Sequence, residues 1–176
     1  METEISKDLI MSLKRIYETE ENLLNYINYY KSLIKWIKEH LKFFSVEQLE
    51  NSRVNILINL NPDNYVVPNS ELLLNKEKER IGEREYETVD DLLISIGDTL
   101  WDMVTIRVGI DCPNCIYDEL RYVIAEKEGT QELLLQCETC GWTEHQNGEQ
   151  WKEGLVKIIP ASLSEIKHNR TSTLLH

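Results

Sequence analysis

The sequence predicts an α+β fold: an N-terminal helical hairpin packed with a small antiparallel sheet, followed by a four-cysteine zinc ribbon. Three observations predict it. From Ile5 to Phe44 there is neither glycine nor proline, and apolar residues recur at steps of three and four. Later segments alternate apolar and polar residues between turn signals, as half-buried strands do. The only cysteines are four, arranged as two Cys-x-x-Cys pairs.

The first stretch carries Leu9, Leu13, Ile16, Leu23, Ile27, Tyr30, Ile34, Ile37, Leu41 and Phe44 as a coiled-coil-like stripe. Glu20 fills the one gap in it and marks a break, with Thr19 as the cap of a second helix. The expectation is therefore an antiparallel hairpin of about 14 and 23 residues, since one unbroken helix would run about 60 Å. The same seam also suits a homodimer formed through these N-terminal helices. Ser45 with Gln48 forms a capping-box pattern that opens a short helical turn. Val54, Ile56, Ile58 and Leu60 then alternate with Asn55 and Asn59, which predicts a strand ending at the turn Asn61-Pro62-Asp63-Asn64, although Leu57 breaks the polarity. Tyr65-Val66-Val67 reads as its returning partner, and 72–84 as a charged, solvated helix or loop.

Thr88 and Asp91 open a helix through Leu92, Leu93, Ile96, Leu100, Met103 and Val104, in which Gly97 costs about 1 kcal/mol relative to alanine. Thr105 to Ile110 alternates as a strand leading into the first cysteine pair. Tyr117 to Ala125 and Glu132 to Gln136 read as strands joined around Gly129. Asn147-Gly148 is a two-residue turn, and 155–159 is a last strand ended by Pro160. The resulting division is an acidic α+β region over 1–110, a ribbon over 111–160 and a flexible tail over 161–176.

Cys112-Pro113-Asn114-Cys115 and Cys137-Glu138-Thr139-Cys140-Gly141 are separated by 21 residues. Each Cys-x-x-Cys puts two thiolates on one tight turn, and two such turns complete a tetrahedral sulfur set for Zn²⁺ with bonds of about 2.3 Å. The spacer is one residue beyond the usual range of such patterns. Pro113 presets φ in the first turn, and Gly141 permits a left-handed backbone after the second. The alternative readings are a disulfide or a redox pair. A zinc with four thiolate ligands has no open position for water or substrate, so its role is structural.

Charge is the second informative property. The 176 residues include 31 acidic and 19 basic side chains, a formal net of −12, with 41% apolar content, enough for a core. Such a surface repels phosphate backbones, which argues against direct nucleic-acid binding. Residues 47–111 hold 14 acidic and 6 basic side chains. The densest run carries Glu83, Glu85, Glu87, Asp90, Asp91, Asp98 and Asp102 around Tyr86, with Arg84 as the lone cation within 82–102. These eight residues are the candidate partner-binding face: carboxylates suited to the cationic cleft of a basic protein, in a field that accelerates encounter. Solvated helix surface is the plainer explanation for the same residues. Met1-Glu2-Thr3-Glu4 lacks the positive region of a signal peptide and no run approaches 18 apolar residues, so the expectation is a cytoplasmic protein with no membrane contact.

Nothing in the chain supplies an activated nucleophile or base. His40, His145, His168 and His176 are scattered, and no phosphate loop, nucleophile elbow or His-Glu-x-x-His pattern occurs. The expectation is no enzymatic activity, the weak alternative being a site among Asp90, Asp98, Asp102 and Arg107.

A small, acidic, Lys/Ile/Asn-rich chain without catalytic residues resembles the immunity proteins encoded beside bacterial polymorphic and contact-dependent toxins. The knuckles of Cys112, Cys115, Cys137 and Cys140 would be its structural metal site. The resemblance implies an antitoxin that neutralises a cognate toxin, frequently a basic nuclease, by covering its active site. The knuckles also resemble those of zinc-ribbon adaptors in transcription and RNA metabolism, which implies the alternative of an adaptor acting through protein contacts.

Overall fold

A computed structural model describes residues 6–19, 25–65, 79–152 and 156–173. The chain is α+β and divides into two compact units, Met1–Asp63 with Pro68–Met103, and Asn64–Val67 with Val104–His176.

The first unit is helical. Helices α1 (Lys7–Glu18) and α2 (Tyr26–His40) pack on each other. Of the expected stripe Leu9, Leu13, Tyr30, Ile37 and Phe44 are buried, whereas Ile16, Ile27 and Ile34 are half-buried and Leu41 is exposed; the inward face of α2 is Tyr26, Tyr29, Tyr30, Leu33, Trp36 and Ile37. Trp36 Nε1 donates to Ser12 Oγ at 2.8 Å and pins the two helices together. The expected break at Glu20, and whatever Thr19 caps beyond it, lie outside the described residues; the cap of α2 is Asn25. Thr19 donates its hydroxyl to the Arg15 carbonyl at the end of α1, and Asn25 caps α2 by accepting from the N–H groups of Ile27 and Asn28.

Ser45 and Gln48 form the expected capping box at α3 (Val46–Asn51). The strand expected from Val54 is instead a helix, α4 (Val54–Leu57). Val54 and Leu57 are the buried pair there, at i and i+3, so Leu57 was part of a helical pattern. The Leu57 carbonyl also accepts the buried Tyr30 hydroxyl at 2.9 Å. Of the expected returning strand, Tyr65 sits in a turn, while Val66 and Val67 lie outside the described residues, as does most of the charged segment; its end, Glu79–Glu83, makes one π-type turn.

Helix α5 (Val89–Val104) begins as expected, with Thr88 Oγ1 accepting the Asp91 N–H. Leu92, Leu93, Ile96, Leu100 and Met103 are fully buried. Gly97 has a specific use: a Cβ there would lie 2.0 Å from the Ser52 carbonyl oxygen, so only glycine permits this close approach of backbone to helix.

Among the described residues the second unit is a five-stranded antiparallel sheet with one helix: β1 (Arg107–Asp111), β2 (Glu119–Lys127), β3 (Thr130–Gln136), β4 (Thr143–Glu144), β5 (Lys157–Pro160) and α6 (Leu163–Thr173). β2 is the central strand, pairing with β3 from Arg121↔Gln136 to Lys127↔Thr130, and with both β1 and β5. Glu128 (φ 50) and Gly129 (φ 82) make the two-residue turn of the β2–β3 hairpin, the left-handed pair that matches strand twist. One face of the sheet, Leu120, Tyr122 and Ile124 with Leu133 and Leu135, is buried together with Cys112, Cys137, Ala161 and Ile166.

Two expected boundaries move. β1 groups with the sheet through its pairing to β2, so the division falls at 103/104, not at 110. The stretch after residue 160, expected as a tail, contains α6, whose Ile166 enters the same core as the cysteines.

Candidate metal centre

The four cysteines converge. Their Sγ atoms all lie within 4.8 Å of one another, with Cys112 to Cys140 at 3.5 Å and Cys115 to Cys137 at 3.6 Å. A tetrahedron of sulfurs around an ion at about 2.3 Å has edges of about 3.8 Å. These cysteines carry no disulfide. They are positioned to coordinate one metal ion, and among the described residues no other group of three or more His, Cys, Asp or Glu is so placed.

The two knuckles are built alike. The Cys112 carbonyl accepts the N–H of Ile116 at 3.0 Å, and the Cys137 carbonyl accepts that of Gly141 at 3.0 Å. The N–H of Cys112 donates to the Asp118 carbonyl, and that of Cys137 to the Trp142 carbonyl. The closing residue is left-handed in both, Gly141 at φ 72 and Ile116 at φ 57. Glycine accepts that geometry at no steric cost, whereas β-branched Ile116 is strained by it.

A buried cation joins the knuckles. Arg121, whose side chain is 5% exposed, reaches Glu138 Oε2 at 2.6 Å and Asp118 Oδ2 at 3.5 Å, and donates to Thr105 Oγ1 at 3.3 Å. Asp118 follows the first knuckle and Glu138 lies inside the second. Thr139 also donates to Asp118 Oδ2. Trp142 packs against the core that contains Cys112 and Cys137, and its indole N–H donates to Glu144 at 2.7 Å.

The thiols are electrostatically unequal. Hydrogen bonds from the Asn114 side chain and the Trp142 N–H bring exposed Cys140 down to about 6. Burial pushes Cys137 up to about 12, and raises Cys112 as well. An ion entering such a site displaces protons and gains the negative charge of the thiolates.

The eight residues of the candidate partner-binding face fare unevenly. Glu85, Glu87 and Asp98 are exposed, while Asp90 and Asp91 are half-buried in the first turn of α5. Asp102 is 6% exposed at its side chain and bonds Arg80 at 2.9 Å, so it is unavailable as a surface carboxylate. Tyr86 is a core residue whose hydroxyl donates to the Ile81 carbonyl at 3.0 Å. The Glu83 side chain lies outside the described set. Arg84 is not the lone cation near α5: Arg53 lies over the Trp101 ring at 4.9 Å, Arg80 holds Asp102, and Arg84 donates to Ser95. Desolvation raises Asp98 above the ordinary carboxylate range despite the opposing pull of Arg53, Arg80 and Arg84. Sequence separation concealed these arginines, since two of them come from outside the acidic run.

The described histidines near structured elements are otherwise engaged. His40 stacks on Trp36 with ring centroids 4.7 Å apart, and His145 Nδ1 meets Glu132 Oε1 at 2.8 Å. No helix among the described residues is long and apolar enough to cross a membrane. No family model, curated protein or solved structure matches this chain.

Proposed function

We propose that this protein is an acidic protein-binding module, an immunity protein that neutralises a basic nuclease toxin by direct contact, braced by a structural Zn²⁺. The observation that carries the reading is the solvent side of α5. Asp91, Ile94 and Asp98 fall at i, i+3 and i+7, so they share one helix face, with Ile94 47% exposed between two carboxylates. Glu85 and Glu87 precede the same helix as exposed residues. An apolar residue flanked by acids suits a cationic cleft: the carboxylates steer encounter and the isoleucine loses its water.

Zinc is the ion that the donor set favours. Four thiolates in a tetrahedral arrangement select Zn²⁺ or iron, and Zn²⁺ brings no redox chemistry and no geometric preference of its own. All four ligands come from the chain, which leaves the ion no position for substrate. The protein therefore acts on its partner by contact, without chemistry on it, in the reducing cytoplasm where thiols persist.

A second reading has its own observation. Ile116 and Tyr117, beside the first knuckle, are 75% and 85% exposed, and Ile110 on β1 is 49% exposed. Large apolar side chains left in water suit a zinc-ribbon adaptor that docks a protein through its knuckle. Co-expression separates the two. An immunity protein rescues cells from the C-terminal domain of a secreted toxin encoded beside it, and Ile94→Asp weakens that rescue. An adaptor gives no rescue.

A further inference from the structure

We propose that Cys140 is an oxidation site of the metal centre, and that a peroxide converts it with Cys112 into a disulfide that joins the two knuckles and opens the sulfur set. The inference rests on the reading of the four cysteines as one metal centre.

Accessibility singles out the first sulfur. Cys112 and Cys137 are fully buried, Cys115 is intermediate, and Cys140 is exposed. An oxidant arriving from solvent meets Cys140. Proximity and the link it makes between knuckles point to the second. Cys112 Sγ lies 3.5 Å from Cys140 Sγ, and a disulfide needs about 2.05 Å, so the two sulfurs close by about 1.5 Å. The Cys115 and Cys137 sulfurs are paired with each other at 3.6 Å. Both of these pairs join one knuckle to the other, and the Cys137 sulfur also contacts Cys140 within its own knuckle, which makes Cys137–Cys140 the competing link.

The chemistry balances with hydrogen peroxide as the two-electron oxidant. The Cys140 thiolate attacks one peroxide oxygen, the O–O bond breaks, an S–O bond forms, and hydroxide leaves; sulfur is oxidised and peroxide reduced. The Cys112 thiolate then attacks the Cys140 sulfur, the S–S bond forms, the S–O bond breaks, and a second hydroxide leaves. Two of the four thiolates are consumed. Cys115 and Cys137 alone cannot close a tetrahedron, so the ion is released. A dithiol reductant reverses the change by exchange at the exposed Cys140 sulfur.

The test uses the metal-loaded, unmodified chain, with its metal content measured first, so that failure of the metal reading is seen separately. Substoichiometric hydrogen peroxide is added, free metal is followed with a chromogenic chelator, and disulfides are mapped by mass spectrometry after alkylation at low pH. The expected result is a Cys112–Cys140 link as the first product, with metal release rising in step with it and reversal by dithiol. If the chain is purified without metal, the same link is still expected first. A first link within a knuckle, Cys112–Cys115 or Cys137–Cys140, overturns the proposal. So does sulfinic acid at Cys140 without a disulfide, or thiols unchanged by excess peroxide.

Discussion

Arg121 Nη1 meets Glu138 Oε2 at 2.6 Å, and the neighbouring Nη2 lies 3.5 Å from Asp118 Oδ2, so one buried guanidinium holds a carboxylate from each knuckle. Removing a partner from a buried ion pair costs about 3–5 kcal/mol, because the remaining charges stay desolvated. Groups that orient metal ligands typically contribute about 10–100-fold to metal affinity. Arg121→Ala should therefore lower unfolding free energy by that amount and weaken metal binding on that scale, as read by urea titration and chelator competition. Asp118→Asn combined with Glu138→Gln should recover part of the loss in the Ala background.

Gly97 is expected to tolerate no side chain. Alanine improves helix propensity by about 1 kcal/mol, yet its Cβ would sit 2.0 Å from the Ser52 carbonyl oxygen, which is backbone and cannot rotate aside. Relieving such a clash costs about 1–3 kcal/mol or more. Gly97→Ala should lower the thermal midpoint by several degrees in calorimetry, roughly 2–4 °C per kcal/mol for a chain of this size.

The metal-free chain should display unequal thiols. With Cys140 held down to about 6 by hydrogen bonds and Cys137 pushed up to about 12 by burial, alkylation at pH 7 should label Cys140 first and Cys137 last. Labelling of Cys140 should fall as pH drops through about 6. The stability consequences have opposite signs. The lowered Cys140 group contributes stability above the ordinary thiol value of 9.0, and that contribution is lost as pH falls toward 6. The raised Cys137 group contributes below 9.0, and that contribution is lost as pH rises toward 12. Metal addition should protect all four from labelling, and acid should reverse the protection because protons compete with the ion.

Ile116 stands in a left-handed conformation that its β-branched side chain disfavours, and it is 75% exposed, so little burial compensates. Ile116→Gly removes strain of about 1–2 kcal/mol against an entropic cost of about 0.5–1 kcal/mol. A net gain of up to about 1.5 kcal/mol is expected in urea unfolding. If the exposed side chain serves a docking partner, that gain comes with weaker binding.

What the sequence revealed was local. Cys-x-x-Cys turns, the Ser45–Gln48 box and the Thr88 cap act within a few residues, so spacing alone specifies them. The α1–α2 stripe was legible in part, at Leu9, Leu13, Tyr30 and Ile37, because one period persists over many turns; the buried Tyr29, Leu33 and Trp36 fall beside it. Residues 54–60 misled because four alternating positions do not distinguish period two from i, i+3; the buried pair Val54 and Leu57 decided for helix. Helix α6 did have a signal: Ser162 and Glu165 form a capping box, with Glu165 Oε2 accepting the Ser162 N–H at 2.6 Å. That pattern begins two residues after Pro160 in the sequence. Tyr86 and Asp102 could not be placed by sequence, because their partners Ile81 and Arg80 are positioned by the fold around α5. The same holds for the Arg121 clamp.

The most direct measurement of the proposed function is the association rate of the chain with the C-terminal domain of the proposed basic toxin partner, over a range of salt. Electrostatic docking through α5 predicts fast association that slows steeply as salt rises, and a large drop at low salt for Glu87→Gln, Asp91→Asn, Asp98→Asn together. The absence of a complex at low salt, or a rate indifferent to these three substitutions and to salt, would contradict it.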